Sequence, residues 1–146
     1  MKFTNVVTIN RQRAEVFAYL ARFENIPRWN YAISETRQLT SGQVGVGTRY
    51  RQLRTLPSRS EEEFEVVEFE PDRRLSLDGD LALFHGRVSY DLEAAGDTTT
   101  LTNSMDLQAS GAMNLVAQLA TRRVQSAVAE NLDVLKALLE NGLHGR

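Results

Sequence analysis

Few residues in this chain have the type and spacing to do chemistry. Tyr50, Gln52 and Arg54 occupy alternate positions of "RYRQLR", so in an extended segment they share one face. Tyr90 and Asn103 form a second polar group in the runs "VSYDL" and "LTNSM". Tyr90, Tyr50 and Arg54 are the candidates for moving a proton, which requires a side chain within hydrogen-bond reach of the reacting atom. A tyrosine with its ordinary pKa of about 10 is poorly activated for that task. The two histidines, His85 and His144, have no clustered spacing, and no metal site is expected from them. With no cysteine, thiolate nucleophiles, disulfides and zinc–thiolate sites are excluded. Nothing local sets a serine beside a base and an orienting carboxylate.

The acidic run Glu61-Glu62-Glu63, continued by Glu65, Glu68 and Glu70, would need a buried carboxyl of raised pKa to act as an acid. Charge matching with Arg49 and Arg51 places Glu63 and Glu65 on a wet face instead. Two charges of the basic stretch Arg49, Arg51, Arg54 and Arg59 around Tyr50 are thereby matched and the chain as a whole is acidic, so nucleic acid is not an expected partner. "SGQVGVGTRY" packs Gly42, Gly45 and Gly47 into six positions. A phosphate cradle needs a helix N-terminus behind it, and here a strand-like run follows, with no Lys-Ser/Thr pair. It reads as a connection between strands, and no cofactor is expected.

These groups must be positioned by elements whose order is legible. Phe3–Asn10 is rich in Thr, Val and Ile and reads as a strand. Asn10 is a candidate N-cap for a helix carrying Val16, Phe17 and Leu20. "FENIPRWN" contains a helix-breaking proline and predicts a short second helix or turn. Residues 33–108 show short alternating runs between turn signals, an antiparallel meander. From Gly111 to Glu140, apolar residues recur every three or four positions (Met113, Val116, Ala117, Val124, Val128, Leu132, Leu135 and Leu139 among them). That stripe predicts one helix about 45 Å long, which only the sheet is broad enough to receive.

Two hairpins can be registered. A turn at Thr55–Arg59 pairs Arg51 with Glu63, Arg49 with Glu65 and Tyr50 with Phe64, so opposite charges share one face and aromatics the other. A one-residue slip would destroy both matches. The break of alternation at Val66-Val67 predicts a β-bulge. Gly96-Asp97 fits a two-residue type II′ turn, which pairs Leu92 with Leu101, Tyr90 with Asn103 and Val88 with Met105. His85 then falls in phase with Arg87 and Asp91, on the solvent side.

The length fits one domain spanning residues 1–146, α+β in class from its order of strands and helices. The composition, 42% hydrophobic and 25% charged with net charge −2, is that of an ordinary globular protein. It provides no general attraction to nucleic acid or anionic lipid. No leader or membrane span is evident, and a cytoplasmic location is expected.

This order of elements is the helix-grip order. On "VTINRQRAEVFAYLARFENIPRWN" (7–30), "GVGTRY" (45–50), "VVEFEPDRRLSL" (66–77) and "LDVLKALLE" (132–140), the chain resembles the Bet v 1/START-like or SRPBCC superfamily. Within it, the chain is most similar to the bacterial polyketide cyclase/dehydrase-like branch. The resemblance covers essentially the whole chain, and its motifs mark a fold, not a reaction. It implies a curved antiparallel sheet wrapped around the long C-terminal helix, with two short helices after the first strand and a deep apolar cavity inside. It also implies that the Gly42–Gly47 loop sits at the cavity mouth.

On that reading the expected partner is a small hydrophobic or amphipathic molecule: a polyketide, lipid, quinone or aromatic metabolite. The expected lining is Trp29, Tyr50, Gln52 and Phe64, then Phe84, Val88, Tyr90, Asn103 and Met105, with Met113 and Ala117 from the helix. The inward polar groups have two readings: they orient a ligand, or they satisfy one another, Tyr90 with Asn103 and Gln52 with Glu62. The alternative to a binding protein is an aromatase/cyclase-type enzyme performing aldol cyclisation and dehydration. A homodimer is compatible with either.

Overall fold

The protein is described from a computed structural model, in which residues 1–142 are placed; His144 lies outside the described residues. Strand β1 (Lys2–Ile9) is followed by α1 (Arg13–Ala21), a single 3-10 turn (Phe23–Asn25) and α2 (Ile26–Trp29). Six strands then run as a meander: β2 (Ile33–Gln38), β3 (Arg49–Arg54), β4 (Ser60–Glu70), β5 (Arg74–Leu81), β6 (Phe84–Ala95) and β7 (Thr98–Gln108). Two helices close the chain, α3 (Met113–Leu119) and α4 (Thr121–Glu140). All strands form one antiparallel sheet in the order β1-β7-β6-β5-β4-β3-β2.

Both hairpins hold the expected register. Tyr50 faces Phe64 and Arg51 faces Glu63, while Tyr90 faces Asn103 and Val88 faces Met105. The β4 bulge falls between Val66 and Glu68. Gly96 has φ +62° and Asp97 is not in the positive-φ region, the pattern of a type II′ turn. On the inner face Tyr50 stacks on Phe64 with centroids 5.1 Å apart, and Phe23 meets both rings edge-on at 4.8 and 5.5 Å. The outer face carries the charges, with one difference from expectation. Arg49 and Arg51 both converge on Glu63, at 2.8 and 3.4 Å, because Arg49 reaches diagonally instead of straight across to Glu65.

The helices differ from expectation at two ends. Gln12, not Asn10, stands at the N-cap of α1, with no side-chain cap bond. Asn10 instead gives its backbone N–H to Glu140 Oε2 at 2.7 Å, and Arg11 reaches the Glu140 carbonyl at 2.6 Å, tying the first turn to the end of α4. The long C-terminal helix is two helices. Ala120 has φ −91° and ψ 0°, its N–H bonds back to Ala117 O at 3.0 Å, and Thr121 Oγ1 donates to Gln118 O at 2.9 Å. Those contacts tighten and cap the end of α3. Beyond the break α4 buries Leu132, Leu135 and Leu139 against the sheet, whereas α3 leaves Leu115, Val116 and Leu119 exposed.

Candidate functional site

The inner face of the sheet, α2 and α4 enclose a cavity of about 70 Å³. Its wall is mainly apolar: Trp29 from α2, Phe64 from β4, Leu77 from β5, Val88 from β6, Met105 and Leu107 from β7, Leu132 from α4. Two glycines make the space. Gly79 and Gly86 face each other across β5 and β6 and both line the cavity. A Cβ on Gly79 would stand 2.6 Å from Phe64 Cα, and one on Gly86 2.9 Å from Leu107 Cα. The backbones approach too closely there for any side chain.

Five polar side chains interrupt this wall, Asn30, Gln52, Asp80, Tyr90 and Asn131, and Asn30 Oδ1 is occupied by the Ala32 N–H at 3.0 Å. Trp29 meets Tyr90 edge-on, with centroids 6.5 Å apart. The Tyr90 ring is 7% exposed, and its hydroxyl makes no hydrogen bond to any described residue. Burial pushes that phenol well above its ordinary pKa, so it is a neutral donor and acceptor, not a base. Gln52 stands on β3 and Asn131 on α4; each is buried, and each keeps a side-chain oxygen without a partner.

Behind Gln52 lies a buried ion pair. Glu62, 2% exposed, accepts from Arg54 Nε at 2.5 Å and Nη2 at 3.2 Å, from Gln52 Nε2 at 2.9 Å and from the Ala82 backbone N–H at 2.6 Å. Four donors on one carboxylate meet the condition under which a buried charge is tolerated. Ala82 sits in the β5–β6 turn at φ +58°, and its bond to Glu62 fastens that turn to β4.

Of the expected lining residues, Trp29, Gln52, Phe64, Val88, Tyr90 and Met105 come together on the cavity wall; the others lie elsewhere. Tyr50 is fully buried among Phe23 and Phe64, its hydroxyl without a partner, and burial and the charge of Glu24 push it up to about 12. Asn103 is also fully buried, but it donates to Ser89 O at 3.2 Å and not to Tyr90. Gln52 does pair with Glu62, so one of the two expected mutual contacts forms. Arg54 faces inward, but its guanidinium is committed to Glu62 and the Leu56 carbonyl, off the wall. Phe84 packs against the edge of the core. Met113 is exposed and Ala117 buried, both on α3, and neither reaches the cavity.

The glycine loop also lies elsewhere. No residue from 42 to 47 lines the cavity, and Gly47 N–H bonds Val66 O at 2.8 Å, so the loop docks on the bulge of β4. The rim instead carries Asp80 and Leu81, next to the β5–β6 turn. Asp80 is the one charged residue on the described wall, and its carboxylate lies 3.1 Å from exposed His85 Nδ1. Sequence reasoning missed Asn131, Gly79 and Gly86. The signals were present: a polar residue on the stripe between Val128 and Leu135, and glycines inside strand-like runs.

Among curated proteins no sequence matches the chain. Solved structures match its fold closely at low identity. An aromatase/cyclase, Zhui from Streptomyces sp. R1128, superposes with TM-score 0.77 at 12% identity, over 99% of this chain and 96% of that one. A conserved protein from Geobacillus kaustophilus gives TM-score 0.77 at 10% identity, over 97% and 96%. Ara h 8.0201 gives 0.70 at 14%, over 95% and 97%. At such identities the likeness is one of fold, the open curved sheet gripping a long C-terminal helix. The sequence itself matches a family profile described as polyketide cyclase / dehydrase and lipid transport, over residues 1–140. With that match spanning nearly the whole chain and the helix-grip architecture beneath it, the protein belongs to the polyketide cyclase/dehydrase and lipid transport family.

Proposed function

We propose that this domain binds a small hydrophobic or amphipathic molecule, of the polyketide, lipid, quinone or aromatic-metabolite kind, between its sheet and α4, and that it does so in the cytoplasm. One observation carries the reading: the space is mainly apolar yet holds two buried side-chain oxygens without a partner, Gln52 Oε1 and Asn131 Oδ1, beside the Tyr90 phenol. Buried polar groups ordinarily find partners within the protein, and an apolar pocket with a few placed polar groups is the usual form of a small-molecule site. At about 70 Å³ the closed space is smaller than the ~150 Å³ cavity that admits benzene. Binding therefore widens it.

The chemistry favours holding over transforming. Tyr90 is a phenol with its pKa raised, Arg54 is tied to Glu62, and Asp80 stands at the rim. A phenol raised in this way is not a proton-transfer group tuned near neutrality. The aromatase/cyclase-type alternative draws on the name of the Zhui neighbour and on the family description.

The test is organic extraction of gently purified protein followed by mass spectrometry, with denatured protein as control. A stoichiometric small molecule is the expected result. If the extract is empty and a Tyr90→Phe variant binds added hydrophobic probes no differently from wild type, the reading fails.

A further inference from the structure

Gln52 has a fixed orientation, and that orientation selects the ligand. A side-chain amide can ordinarily be turned over, exchanging its donor and acceptor ends. Here it cannot. Nε2 lies 2.9 Å from Glu62 Oε1, and the same carboxylate takes N–H groups from Arg54 and from Ala82. Every contact to Glu62 is a donor, as a carboxylate requires. Turning the amide would set Gln52 Oε1 against a carboxylate oxygen, acceptor on acceptor. Oε1 is therefore the free end of a cavity-lining side chain, and it is buried without a partner.

We infer that the ligand of this cavity is a neutral molecule that brings a hydrogen-bond donor, a hydroxyl or phenol, to Gln52 Oε1, and that carboxylic acids are refused. This inference rests on the ligand-binding reading above and names its substrate class. A ligand carboxylate would meet Oε1 as acceptor against acceptor. It would also bring a second negative charge near Glu62, whose own charge Arg54 already balances one to one. A ketone or ether would leave Oε1 orphaned. Tyr90 and Asn131 also accommodate a hydroxyl: Tyr90 Oη both donates and accepts, and the Asn131 amide, held by no hydrogen bond to a described residue, is free to turn.

The experiment compares three probes of similar size, phenol, toluene and benzoate, by NMR titration of the isotope-labelled full chain. A purely apolar cavity prefers toluene, because the phenol hydroxyl loses water and gains no partner. The donor inference reverses that order: phenol binds about fivefold tighter than toluene, and benzoate weaker than both. Gln52→Met lowers phenol binding to the toluene level and leaves toluene unchanged. Toluene binding as tightly as phenol, or benzoate the tightest, overturns the donor assignment while leaving the ligand-binding reading intact. Failure of all three to bind overturns both. The wild-type comparison decides the matter even if Gln52→Met does not fold.

Discussion

Replacing Arg54 by methionine exposes how the site is supported. Methionine fills much of the volume of the arginine stem but removes three N–H donors, two to Glu62 and one to the Leu56 carbonyl. Glu62 keeps only Gln52 Nε2 and the Ala82 N–H, at 2% exposure. Breaking a buried pair and stranding one charge costs about 3–5 kcal/mol. Set against a domain stability of about 5–15 kcal/mol, that is a large fraction, and for a chain of this size it lowers Tm by roughly 10 °C. Urea denaturation at pH 7 measures the cost. A second substitution separates stranded charge from lost packing. Glu62→Gln removes the charge and keeps one acceptor oxygen for the Ala82 N–H, while Gln52 can turn its amide to accept from the new one, so Arg54→Met/Glu62→Gln recovers about half or more of the loss. A cost below about 1 kcal/mol for Arg54→Met would show a solvated, weak pair. A double variant no more stable than the single would show that the charge was not the cause.

Further expectations follow from particular contacts. Tyr90→Phe changes stability by less than about 0.5 kcal/mol, since its hydroxyl has no partner among the described residues, but weakens phenol binding; a loss well above 1 kcal/mol in urea with unaltered binding would make Tyr90 a structural residue. Gly79→Ala forces a methyl against Phe64 Cα and costs about 1–3 kcal/mol or more. Gly45→Ala, with open space around it and no positive φ, is neutral or slightly stabilising; comparable melting losses for the two would refute the close-approach argument. Ser76 and Arg74 hold Glu68 below the usual carboxylate range, and Arg87 does the same for Asp78. Their contribution is complete above the unfolded value near about 4 and is lost as pH falls through the lower folded values. The Tm difference between wild type and Arg74→Met therefore closes as pH drops from about 5 to 2, and a constant gap would refute the assignment.

The meander was legible because its registers are overdetermined. Tyr50–Phe64 and Arg51–Glu63 must be satisfied together, and Leu92–Leu101 follows from the geometry of Gly96-Asp97. The break at Ala120 was hidden because the apolar stripe runs on through it, and a stripe does not distinguish one helix from two. Asn10 had the right type for a cap, but the helix starts later, at Arg13, and the Asn10 backbone N–H goes to Glu140, 130 residues away, a contact no local pattern encodes. Glu62 was legible as the inward partner of Gln52, because alternation turns Glu61 and Glu63 outward; its ion pair with Arg54, which makes the buried charge tolerable, was not. Six of the eleven expected lining residues reached the cavity, because the phase of a strand shows which face a residue is on but not how far along that face the helices leave space.

The strand order has a consequence for how the chain is made. From β2 to β7 every strand pairs with its neighbour in sequence, so each ladder can close as soon as its hairpin is complete. β1 is different. Its sheet partner is β7, and its other anchors, Asn5 to Gln125 and Lys136 to Thr8, lie later still. The first strand of this domain to be synthesised is thus the last to be satisfied, waiting through some hundred residues as an unpaired edge. Long-range closure of this kind slows folding and leaves transient edges open to wrong partners. The polar alternation of Lys2, Thr4 and Thr8 along β1 keeps that waiting strand in water until β7 and α4 arrive to claim it.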